Sequence, residues 1–172
     1  MKTLTLVLAL GVTVVLSSTF AADKEASDKA AAGDTAFIKK AADGGMTEVE
    51  LGKVAEKNGK RDDVKSFGGQ MVKDHGKAND DLKSIAGKMN VTVPDKVSAA
   101  HQAKIDKMSK MSGDAFDAAY IKGMVEDHEK TAADFEKASG TVKNADLKKF
   151  IDDTLPVIKG HLEMVKKMQG KK

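Results

Sequence analysis

The sequence predicts an all-α protein: four long antiparallel helices with a short crossover helix between the second and third. Three observations carry this reading. Only two prolines and 4% aromatic residues occur among abundant Ala, Lys, Asp and Met, a composition that favours helices over a β-sandwich. Apolar residues recur in alternating steps of four and three, the spacing of a helix seam. The links between the periodic segments run short, long, short. That layout is two antiparallel hairpins joined by a long connection, as in a ferritin-like four-helix bundle.

The first 21 residues read as an export signal. Lys2 supplies the charged start, Leu4 to Leu16 the apolar run, and Thr19 and Ala21 the small residues before a cut after Ala21. An apolar run of about 13 residues is short of the roughly 20 that span a bilayer. The expected location is therefore periplasmic or secreted, with no transmembrane segment after cleavage. Residues 22–33 are polar and alanine-rich and read as a flexible lead-in. The bundle domain is expected over residues 34–169.

The first long helix, over 34–57, carries Phe37, Ala41, Gly44 or Gly45, Glu48, Leu51 and Ala55 along one line. Asn58-Gly59 closes it, with Gly59 in the left-handed conformation. The second, over 61–90, has the seam Val64, Gly68, Met71, His75, Ala78, Leu82, Ile85 and Met89. About 24 residues with Pro94 follow, and the stretch 95–111 is itself helix-compatible. The third, over 114–139, repeats Asp117, Ile121, Met124, His128, Thr131, Phe135 and Ala138, with Asp114 as its cap and Gly140 as its end. The fourth, over 144–168, repeats Leu147, Ile151, Thr154, Ile158, His161, Val165 and Met168, capped by Asn144. Pro156 lies inside it and removes one backbone donor. It either kinks the helix, re-aiming His161, or is a packing bend.

Three of the four histidines, His75, His128 and His161, fall on the seams of three different helices. A buried imidazole needs hydrogen-bond partners or a metal, and bundles build metal sites from inward side chains on facing helices. Glu48 on the first helix is the candidate fourth ligand, because Glu50 points some 200° away. The glycines beside it, Gly44, Gly45 and Gly52, leave room for close helix approach or mark a kink. With parallel second and third helices His75 and His128 share a level. A straight count leaves His161 about 9 Å away at 1.5 Å per residue.

Met71-Val72-Lys73-Asp74-His75-Gly76-Lys77 is repeated at Met124-Val125-Glu126-Asp127-His128-Glu129-Lys130. In each copy the Asp could orient a neighbouring imidazole or be a solvated charge. Met71, Met124 and Met164 share helix faces with the three histidines, a soft donor set for Cu(I) or else core filler. His101 falls in the crossover as a surface residue, and Tyr120 reads as a packed residue with a bonded hydroxyl.

The absence of cysteine excludes disulfides, Cys-based zinc sites, iron–sulfur clusters and Cys nucleophiles. No phosphate-binding Gly-rich loop, GxSxG or Glu-x-x-His occurs. After signal removal 28 basic residues, 27 of them Lys, face 26 acidic ones, interspersed throughout. That is a solvated helix surface, not a nucleic-acid reader, which would cluster Arg with aromatics.

Met46-Thr47-Glu48-Val49-Glu50-Leu51-Gly52, the Met71–Lys77 segment with Ala78-Asn79 and Leu82, Phe116-Asp117-Ala118-Ala119-Tyr120, His128, and Leu155-Pro156 with His161 resemble the bacterial family called domain of unknown function 4142. The resemblance spans about residues 35–168. It implies a ferritin-like helical bundle and an envelope or secreted location, with no established activity. One seam Glu and three seam His depart from the ferritin-type di-iron pattern, a Glu from each of two helices and Glu-x-x-His from the other two. A site of three His and one carboxylate suits Zn, Mn, Fe or Cu.

Three functions compete on these residues. One is an exported protein holding a transition metal ion through Glu48, His75, His128 and His161. Another is a non-catalytic envelope stress or interaction protein with structural buried histidines. The third is a redox metalloenzyme, which also needs an open coordination position. The first is the expectation carried forward, with no catalytic residue assigned.

Overall fold

The computed structural model describes the backbone of residues 16–170 and the side chains of residues 31–170. Five helices follow one another: α1 (Leu16–Asn58), α2 (Asp62–Lys88), α3 (Ala99–Ser109), α4 (Gly113–Thr141) and α5 (Ala145–Gln169). No strand occurs among the described residues. α1 packs most extensively on α2 and α4 on α5, while α2 also meets α5 and α1 meets α4. The short α3 lies across α1 and touches α4. No helix among the described residues is long and apolar enough to cross a membrane.

α1 begins well before residue 34. The segment 22–33, expected as a flexible lead-in, is helical, sustained by its alanines, the strongest helix formers. Most of the expected export signal lies outside the described residues, and residues 16–21 form the first turns of α1.

The link between α1 and α2 differs from expectation. Gly59 is not left-handed; among the described glycines only Gly113 has positive φ. Asp117 of α4 settles the turn instead. Its two carboxylate oxygens accept from the Lys60 and Arg61 amides at 3.0 and 2.9 Å. Asn58 Nδ2 adds bonds to the Ser109 and Met111 carbonyls at 3.0 and 2.8 Å. At the opposite end Asp34 of α1 accepts from the amides of Lys143 and Asn144, fixing the α4–α5 link. Each hairpin turn is thus tied by a buried Asp of the other hairpin.

Ser98 caps α3 and Asn144 caps α5, the latter accepting from the Leu147 amide at 3.0 Å. α4 takes Ser112, not Asp114, as its N-cap and runs past Gly140 to Thr141. Asp114 instead meets Lys60 Nζ at 2.7 Å. α5 continues through Pro156.

The close helix approach expected of the glycines is real at Gly52. A Cβ there would stand 2.6 Å from the Gly68 carbonyl oxygen, and a Cβ on Gly68 would stand 2.7 Å from that of Gly52. Bare backbones of α1 and α2 therefore touch at this crossing.

Two apolar clusters form the core. One gathers Leu51, Val64, Met71, Phe116, Met124 and Val165, and the other Ile38, Leu82, Phe135, Leu147, Ile151 and Ile158. Between Ala42 and Leu51 on α1 lies Glu48, between Met71 and Leu82 on α2 lies His75, and between Val125 and Ala132 on α4 lies His128. Between Ile158 and Val165 on α5 lies His161. One polar layer divides the apolar interior.

Candidate metal centre

The alternating seam carries His75, His128 and His161 inward on α2, α4 and α5, and none is more than 8% exposed. Their ring centroids form a nearly equilateral triangle of 5.7, 5.4 and 5.5 Å. One ring nitrogen of each lies within 4.8 Å of the other two. Three nitrogens around a tetrahedral ion at roughly 2.0–2.1 Å stand about 3.3 Å apart, so each needs to draw in by less than about 1 Å. Phe67 packs beside the triangle, with its ring 6.3 Å from His128 and 6.2 Å from His161.

His161 is level with its partners despite the straight-helix count. That count set the helix ends flush, and they are not. α5 stops short of the start of α2, and the long Arg61 side chain reaches across to the Met168 carbonyl at 3.2 Å.

The outer partners fix which nitrogen faces the centre. His128 Nδ1–H donates to the Met124 carbonyl at 2.9 Å, so its lone pair is on Nε2. His161 Nε2–H donates to Asp74 Oδ2 at 2.9 Å, so its lone pair is on Nδ1. Those nitrogens, His128 Nε2 and His161 Nδ1, together with His75 Nε2, are buried without any hydrogen-bond partner among the described residues. Metal-ligating histidines are oriented in this way, through the ring nitrogen that does not bind.

The two Asp-His copies have diverged in role. Asp74 orients His161 from the neighbouring helix. Asp127 pairs with Lys104 of α3 and bonds no imidazole.

Electrostatics keep the rings uncharged. Burial, with repulsion from His128 and His161, pushes His75 down to about 3. Burial, with repulsion from His161, pushes His128 down to about 4. Burial also lowers His161, against the pull of Asp74. Near neutral pH all three are free bases, the form that binds metal.

Glu48 is buried in the same layer but does not join the histidine cluster. It lines a cavity of about 130 Å³ whose wall also includes His75 and His128. Its Oε2 has no hydrogen-bond partner among the described residues. Burial, reinforced by the Asp127 charge and opposed by Lys104, pushes its carboxyl up to about 8.

The methionines do not share the centre as a set. Met71 and Met124 belong to an apolar cluster, and Met164 is 40% exposed. His101 is half-buried, with Nδ1 2.9 Å from Asp43 Oδ2, and holds α3 to α1. Tyr120 is packed as expected, stacked on Phe116 at 5.5 Å, yet its hydroxyl has no partner among the described residues. Sequence reasoning left the Asp74–His161 bond open. It missed the Asp43–His101 pair, since that pairing joins helices 58 residues apart with no local signal.

The family model for the domain of unknown function DUF4142 matches residues 19–168. Comparison with curated proteins finds no match. Among solved structures, the crystal structure of a DUF305 fragment from Deinococcus radiodurans is similar, with a TM-score of 0.70 at 10% identity. The match covers 80% of this chain and 95% of that one. At such identity the likeness concerns the fold. The chain belongs to the DUF4142 family.

Proposed function

We propose that this DUF4142 member is an exported, ferritin-like four-helix bundle that binds one transition metal ion through His75, His128 and His161. The observation that carries the reading is the convergence of three buried, unpartnered ring nitrogens, two of them fixed by outer bonds to Met124 and Asp74. Structural histidines would be hydrogen-bonded on both sides, because an unpaired buried polar atom costs about 1–3 kcal/mol. Three such atoms facing one another are a poor structural device and a good ligand set. Imidazole donors suit Zn, Fe or Cu, with Mn admitted by an added oxygen ligand. Glu48, expected as a fourth ligand, stands beside the cluster and faces its cavity side.

The test is elemental analysis of untagged mature protein from the periplasm, prepared without chelators or an imidazole column, beside His128→Ala. Near-stoichiometric metal in the wild type, lost in a folded His128→Ala, is the expected outcome. No metal in either, with reloading also failing, would leave an interaction protein with structural histidines.

A further inference from the structure

We propose that the Glu48 cavity is a chamber for a small inorganic anion, which completes the coordination of an ion held by His75, His128 and His161. The inference rests on the metal reading above and deepens it.

Charge is the first argument. All three ligands are neutral imidazoles, and no carboxylate joins their cluster. A divalent ion there would keep its full charge in a buried layer between two apolar clusters. Burying a charge without compensation is costly, so an anionic companion is favoured. At the mouth Lys104 is paired with Asp127 and Lys40 with Asp134, so these rim charges cancel in pairs. Selection falls to the interior.

Geometry is the second argument. His75 and His128 form part of the cavity wall and His161 does not, so the open side of the ion faces the cavity. Glu48 lines the same space, is 8% exposed, and presents an oxygen that no described residue satisfies. A buried carboxyl that carries its proton donates to an anion bound at the metal. The size then limits the class. About 130 Å³ is several waters' worth, and below the roughly 300 Å³ at which sites for drug-sized organic ligands begin. An anion of two to four heavy atoms fits; an organic cofactor does not.

The experiment loads the full mature chain with Co(II), follows its visible spectrum at pH 6.5, and titrates azide as the probe. Wild type, Glu48→Gln and Glu48→Leu are compared, with Co(II) affinity measured separately for each. Azide is expected to change the Co(II) spectrum of the wild type. Glu48→Gln, which keeps a donor, should bind azide within about threefold of wild type. Glu48→Leu should lose tenfold or more, the size of one hydrogen bond to a charged group. Co(II) affinity should vary by less than threefold across the set. A Co(II) spectrum that ignores azide overturns the inference while the metal reading stands. Equal azide binding by Glu48→Leu overturns the role of Glu48. A tenfold loss of Co(II) affinity in Glu48→Leu makes Glu48 a ligand and overturns the chamber. Failure of the wild type to bind Co(II) overturns the metal reading and this inference together.

Discussion

Substituting Gly68 by Ala tests the packing that sets the α1–α2 distance. The new Cβ would meet the Gly52 oxygen at 2.7 Å, Ala55 Cβ at 2.8 Å and the Glu56 amide nitrogen at 3.2 Å. Two of these atoms are backbone and the third is a Cβ, so none can swing aside. Relief requires the helices to part by several tenths of an ångström. Overpacking of this kind costs about 1–3 kcal/mol. Replacing a helical Gly by Ala returns about 1 kcal/mol of intrinsic propensity. Gly87 is the control, since a Cβ there meets nothing within 4 Å. Gly87→Ala keeps only the propensity gain. The two variants should therefore differ by about 2–3 kcal/mol in urea unfolding of metal-free protein. In Tm that is roughly 5–10 °C for a chain of this size. Equal stability for Gly68→Ala and Gly87→Ala, with unchanged m-values, would refute the argument that bare backbones meet at this crossing.

Three further outcomes are expected. Asp74→Ala should keep the fold and weaken metal binding about 10–100-fold by freeing the His161 ring, measured by competition with a chromophoric chelator. Asp117→Ala should destabilise the protein by about 2–4 kcal/mol, as two turn amides lose their acceptor, whereas Asp114→Ala should leave the denaturation midpoint in place. Metal-free stability should peak near pH 6.5. Below it the unfolded chain takes up protons that buried His75 and His128 refuse until about 3 and 4, at a net cost of roughly 1.5 kcal/mol per pH unit near pH 5. Above it stability is lost as pH rises through the value of about 8 for Glu48, because the unfolded carboxyl ionises more readily. A steady rise in stability from pH 7 to 5 would contradict both signs.

The helical fold and the three facing histidines were legible because both are periodic. Steps of four and three place Met71, His75 and Leu82 on one stripe whatever the surroundings, and the same holds on α4 and α5. Positions of broad apolar character were less sharp. Ile38 and Ala42 are buried where Phe37 and Ala41 were expected, since adjacent apolar residues leave the stripe centre undetermined. The turn anchors were invisible for another reason. Asp34 and Asp117 act across more than fifty residues, and an Asp on a helix looks the same in sequence whether it caps a distant loop or faces water. His161 fell within reach only through the unequal ends of α2 and α5, a quantity set by the Arg61 side chain and by no spacing.

The polar layer also decides how the helices are allowed to slide. A seam built only of apolar residues is degenerate: shifting one helix by a heptad sets Leu against Met in place of Leu against Ile, at little loss. With Glu48, His75, His128 and His161 at one height, the same shift would drive each imidazole into hydrocarbon and away from Asp74 or its fellow rings. The slipped arrangement is penalised at every one of the four positions at once. The layer would thus act as an alignment key, cut into the interior before any ion arrives.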